Sequence, residues 1–250
     1  MAKIRIIPTV LTNGVTVVKG KNFNNWRTVG NAEAIANLYA KRDVDELMFL
    51  DVEARNLGQR ISLELVSVFS DVLNIPFSVG GGINSIEEVG EYFRRGAEKV
   101  VLGTAAVENP SLIEETSQKF GSQAVVVSID VENVNSRNVC THSGKKKEDI
   151  GLEEFICRVS SAGAGELLLQ NLELEGEMKG YDLDLITTIR SMTDLPIIAS
   201  SGCGSALHAK SAIDSGANAV GVGSLFHFTE ATPKSLAVEL KSLGVDLRNA

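Results

Sequence analysis

The chain is poor in cysteine, histidine and basic charge, and it holds no long apolar run. The three cysteines, Cys140, Cys157 and Cys203, are scattered and odd in number, which excludes a disulfide framework and reads as reduced thiols. The three histidines are equally dispersed, at no metal-ligand spacing, so neither a metal nor a cofactor is expected. Lysine and arginine number 24 against 32 acidic residues, a net charge of −8. Nucleic acid and anionic membrane both require a basic footprint, so neither is expected as a partner. The apolar run in MAKIRIIPTVL is too short for a secretory leader, and no segment approaches the length of a spanning helix. A cytoplasmic protein is the expectation.

What is present is ordinary globular composition: 250 residues, 44% hydrophobic and 22% charged. A chain of this length buries most of its apolar surface without a disulfide or metal staple. Eight short β-rich runs recur: IRIIPTV (4–10), LMFLD (47–51), FSVG (77–80), KVVLG (99–103), AVVVSID (124–130), ELLLQN (166–171), PIIAS (196–200) and AVGVG (219–223). Each is brief and nearly continuous in apolar residues, as a buried parallel strand must be. Helical patterns lie between them, as at Ile61, Leu65, Phe69 and Val72. Ser85 with Glu88 forms a capping box, Asn109–Pro110 precedes a helix, and Gly96 and Gly121 stand where helices end. Eight strand–helix units predict a single (β/α)8 barrel domain over 1–250. A doubly wound open sheet is the competing architecture.

An internal repeat supports the barrel. IPFSVGGGINSIEEVGEYFRRGAEKVVLGTA (75–105) aligns without a gap on LPIIASSGCGSALHAKSAIDSGANAVGVGSL (195–225). Pro76 meets Pro196, Gly82 meets Gly202, Ser85 meets Ser205, and Gly103–Thr104 meets Gly223–Ser224. Two like halves of four units follow.

The repeated strand tips are the most specific chemical signal. VGGGINS and ASSGCGS are glycine-rich turns before helices, and the next strands end in Gly–Thr and Gly–Ser. Glycine admits an anion close to backbone N–H groups, and a hydroxyl adds a donor. Two phosphates are therefore expected at Gly82, Gly103 and Thr104 on one side and at Gly202, Gly223 and Ser224 on the other. The bland alternative is that the glycines only make tight turns. Asp130 ends the fifth run, where a barrel strand places a general acid or base; a loop-tying aspartate is the alternative. Asp51 carries the same two readings, the structural one favoured. The long segment 11–31 suggests a ribbon-like lid, with Lys19 reaching over an anionic substrate. The basic run SGKKKED (143–149) reads as a solvated loop.

At the opposite strand ends stand Arg5, Glu46, Lys99 and Glu166. Period-two alternation turns Glu46 and Lys99 to the same side as Met48 and Val101. If that side faces inward, two cations and two anions converge on the axis, as a plug or as a gate for a small polar molecule; from the residues alone, the plug is favoured.

The chain resembles the cyclase subunit of imidazole glycerol phosphate synthase, through VVKGKNF, DELMFLD, VGGGI, TAAVENPSLI, FGSQAVVVSID, SGKK, GAGE, KGYD, LPIIAS and SLFHF. The resemblance runs nearly end to end. It implies a barrel that receives ammonia from a glutaminase partner docked on the N-terminal face, and no cofactor. Carried over, Arg5, Glu46, Lys99 and Glu166 form the ammonia gate, Gln123 is an interface position, Lys19 is the loop lysine and Asp130 is one of two catalytic aspartates. The other aspartate should follow the first strand, where this chain has Leu11. Gly103 stands where asparagine is usual, and Glu175 where aspartate is. The loss at Leu11 is similar to second-copy relatives linked to amidation of surface-polysaccharide sugars, with a separate sugar amidotransferase. The resemblance thus implies an ammonia-channelling subunit without full cyclase activity. The alternatives are a genuine histidine-pathway cyclase (a lyase) and a non-catalytic scaffold that activates the glutaminase.

Overall fold

The computed structural model describes residues 3–42, 44–132 and 138–248. The apolar runs form strands in chain order: β1 (Arg5–Asn13), β2 (Thr16–Lys21), β3 (Asn24–Asn31), β4 (Leu47–Asp51), β5 (Phe77–Gly80), β6 (Lys99–Leu102), β7 (Val125–Glu132), β8 (Asn138–Thr141), β9 (Lys146–Lys147), β10 (Glu166–Asn171), β11 (Ile197–Ser200) and β12 (Ala219–Val222). Eight of them pair in parallel around a closed ring, β1–β4–β5–β6–β7–β10–β11–β12 and back to β1. Helices follow the barrel strands and cover the outside, which gives the (β/α)8 barrel expected.

Each barrel strand is buried on both faces, which is why its sequence shows little polar alternation. Along β1, Ile6 and Val10 face the helical layer, while Ile7 and Leu11 fill the barrel interior. Met48, Val101, Val126, Leu168, Ile198 and Ala219 complete the interior. It is a packed core, interrupted by the buried Thr9 between Ile7 and Leu11 and by polar residues towards its two ends.

The repeat is realised in the elements. The helices Ile86–Arg94 and Ala206–Asp214 correspond at the sequence offset, as do β5 with β11 and β6 with β12. Ser85 and Ser205 cap the two helices alike, each hydroxyl accepting from the backbone N–H three residues on. Segment 11–31 forms the expected ribbon: β2 pairs antiparallel with β1 and with β3. A second ribbon, β8–β9, rises from the end of β7. Both overhang the C-terminal mouth. No helix among the described residues is long and apolar enough to cross a membrane.

Candidate active site

The four charged residues at the N-terminal strand ends meet on the axis, as expected. Arg5 Nη1 lies 2.8 Å from Glu46 Oε2 and 3.4 Å from Glu166 Oε2, and its Nη2 donates to Glu166 Oε1. Lys99 Nζ lies 2.8 Å from Glu46 Oε1 and 3.1 Å from Glu166 Oε2. Each cation thus bridges both anions, and the alternating ring closes the barrel floor. Burial opposes the charge on Arg5, but Glu166 and then Glu46 outweigh it and raise its pKa further. Gln123 is exposed at the start of β7, on this same face.

At the other end Asp130 lines a cavity of about 80 Å³ with Leu11, Gly82, Gly103, Thr104, Ser128 and Gln170. The Ser128 hydroxyl and the Gln170 amide both donate to Asp130 Oδ1, at 2.7 and 3.0 Å. Both partners follow from strand geometry. Ser128 precedes Asp130 by two on the same face of β7, and Gln170 stands opposite it in the β7–β10 register. Desolvation still dominates and holds the Asp130 carboxyl above the ordinary carboxylate range. A carboxyl so placed, at the tip of a barrel strand, can serve as a general acid or base. Asp51 serves its loop: its carboxylate accepts from the backbone N–H groups of Gly14, Glu53 and Ala54 at 2.9–3.1 Å.

Leu11 is 1% exposed and borders both this cavity and a second one across the mouth. It packs in the interior cluster, with Phe23 of the lid ribbon against that cluster. No proton can be transferred from the first strand at this position.

The second cavity collects Gly202, Gly223, Ser224, Ser201 and Lys19. Here the expected placement of Lys19 is corrected. It does not reach over the mouth from a lid loop; it is buried within β2 and points into the second glycine-rich tip, its Nζ 2.7 Å from Glu175 Oε1. An added Cβ at Gly223 would stand 2.3 Å from that Nζ, so the glycine is what admits the lysine. The cation nearly fills the cavity, leaving about 10 Å³. Around it, Ser201 Oγ, Ser224 Oγ and His227 Nε2 are buried without a hydrogen-bond partner. Burial first, then Lys19, pushes His227 down to about 4, so its ring is neutral. Orphaned polar atoms beside a cation fit an anion that would satisfy them.

The glycines themselves give a mixed answer. Gly82 and Gly202 have φ of 72° and 96°, and an added Cβ would meet the carbonyl oxygens of Gln59 and Gly180 at 2.0 Å. Backbone packing alone demands both, so they need no ligand to explain them. Gly103 is different: an added Cβ there would meet only Ser128 Cβ, at 3.7 Å. Thr104 Oγ1 accepts from the His142 backbone N–H at 2.9 Å, which leaves its own hydrogen to donate. The sequence reading missed Ser128, Gln170, Ser201 and His227; the polar interruption at the tip of ELLLQN was the one available signal for Gln170.

Residues 5–232 match the family described as "Histidine biosynthesis protein". The imidazole glycerol phosphate synthase subunit HisF of Thermotoga sp. (strain RQ2) is 43% identical over 245 residues, covering 98% of this chain and 97% of the relative. Subunits of the same name from Thermobifida fusca and Corynebacterium glutamicum (strain R) are 39% and 37% identical, each over 98% of both chains. These relatives favour the cyclase reading over a sugar as ammonia acceptor.

Proposed function

The chain belongs to the histidine biosynthesis protein family, and from that premise we propose that it is the ammonia-using barrel subunit of an imidazole glycerol phosphate synthase. A glutaminase docks over the floor ring, near Gln123, and supplies ammonia. The ammonia passes the ring of Arg5, Glu46, Lys99 and Glu166 and meets a phosphorylated nucleotide precursor at the mouth. There Asp130 serves as the proton-transferring group of the lyase and cyclase steps, while Thr104 and Ser224 hold the substrate's two phosphates. The observation that carries this reading is a charged ring closing one end of the barrel, with a carboxyl of raised pKa at the other end flanked by two anion-compatible tips.

The test supplies the purified chain with an ammonium salt and the phosphorylated precursor, and follows imidazole glycerol phosphate. Turnover that disappears in Asp130→Asn is expected. Absence of product even with a glutaminase subunit and glutamine present would sink the proposal.

Leu11 favours a second reading, in which the barrel conducts ammonia but lacks full cyclase activity. Loss of one member of an acid–base pair lowers rates by roughly 10²–10⁴-fold. The two readings part on Leu11→Asp. If the parent is already a competent cyclase, the new carboxylate adds little turnover. If Leu11 is what disarms it, the substitution raises turnover by about two orders of magnitude or more. A buried carboxylate among Leu50 and Val101 would also lower stability by about 3 kcal/mol, so the assay is run below the variant's melting temperature.

A further inference from the structure

The cavity that holds Asp130 contains one cation among the described residues, Arg55, contributed by the loop after β4. Its guanidinium lies half-buried at the edge of the cavity, and its Nη2 donates to Glu108 Oε2. Glu108 ends the short helix that begins at Thr104. Positions four apart on a helix share a face, with their Cβ atoms about 5–6 Å from one another. Arg55 and Thr104 line the same cavity, so the guanidinium and the hydroxyl border one space.

The opposite cavity repeats this arrangement in different residues. There Lys19 sits among Gly202, Gly223 and Ser224, and is held by Glu175. Each half of the barrel thus places one cation at its glycine-rich tip and occupies it with one glutamate. The repeat does not explain this, because the cations come from unrelated places: Lys19 from β2 and Arg55 from the loop after β4. Other basic residues stand near the first tip: Arg60, whose backbone touches Gly82 but whose guanidinium is committed to Glu88 and Glu91 at 3.0 and 3.1 Å, and His142, whose Nε2 lies 3.8 Å from Glu108 Oε1.

We propose that Arg55 is a specificity-determining residue: it leaves Glu108 to bind the substrate phosphate held at Thr104 and Gly82, as the first-half counterpart of Lys19. This rests on the reading of the mouth as a site for a doubly phosphorylated substrate, and names the group that discriminates one of its ends. A guanidinium offers a planar, bidentate match to a phosphate, and its bond to a single carboxylate at a partly exposed position is weak enough to exchange. The first-half phosphate is then recognised by a cation that must be released, so its affinity is set by the competition with Glu108.

The test is titration of the full chain with inorganic phosphate, following the backbone amide resonances of Gly82 and Thr104 against those of Gly202 and Ser224. The parent shows two saturable responses. Arg55→Ala weakens the first by about tenfold and leaves the second unchanged, whereas Arg60→Ala alters neither. Glu108→Gln strengthens the first, since the competing carboxylate is gone. Arg55 and Glu108 are each about one-third exposed, so these variants leave no fully buried charge behind. A parent that responds at both tips, with Arg55→Ala and Glu108→Gln changing neither, overturns the role of Arg55 and leaves the phosphate reading standing. A parent that responds at neither tip overturns both.

Discussion

At the residue scale the decisive contrast is between Asp130 and Leu11. Both line one cavity at the end of a barrel strand, and only one can carry a proton. Burial raises the pKa of Asp130, so the folded chain binds that proton more tightly than the unfolded chain does. The stability carried by the neutral form is complete at acid pH, below the unfolded value, and is lost as pH rises through the folded one. Asparagine keeps the bonds from Ser128 and Gln170 to Oδ1 and carries no charge. Asp130→Asn should therefore raise unfolding free energy at neutral pH by roughly 1 kcal/mol, with the gain vanishing on acidification, while turnover is abolished. Urea denaturation across a pH series checks this; a gain that persists at low pH would contradict it.

At the element scale the turns after β5 and β11 are set by backbone approach. Gly82 and Gly202 combine positive φ with a carbonyl oxygen where a methyl would stand. Gly82→Ala and Gly202→Ala should each cost about 2–4 kcal/mol, visible as a lowered urea midpoint. Gly14 also has positive φ, 57°, but nothing lies within 4 Å of an added Cβ, so Gly14→Ala should cost only about 1 kcal/mol. If the three variants prove equal, φ alone is the constraint and the close approach is irrelevant. These turns were legible in sequence as glycine-rich tips, but their cause was not. The contacts of Gly82 with Gln59 and of Gly202 with Gly180 join loops that follow neighbouring strands, β4 beside β5 and β10 beside β11, and only strand pairing brings them together.

At the scale of the whole molecule the floor ring ties four strands across the axis. Arg5→Ala leaves Glu46 and Glu166 sharing Lys99 alone, with both carboxylates nearly buried. Removing one partner from such a buried set should lower stability by about 3 kcal/mol. Under the proposed function, glutamine-driven turnover should also fall further than turnover with added ammonium salt, because the ring meets only ammonia arriving through the floor. Equal losses in the two assays would assign the ring to stability alone.

The sequence by itself determined the eight-unit barrel, its two-fold repeat and the convergence of Arg5, Glu46, Lys99 and Glu166. These depend on strand periodicity and chain order, both local properties. It also marked Asp130, since the tip of a barrel strand faces the mouth. Tertiary structure decided the rest. It drew Lys19 from the lid into the second tip against Glu175, set Ser128 and Gln170 on Asp130, parked Arg55 on Glu108, and made Leu11 part of the packed interior. Apart from Ser128 and Asp130, two apart on one strand, those contacts join segments distant in sequence, and closing the barrel is the physical event that brings their side chains within reach of one another.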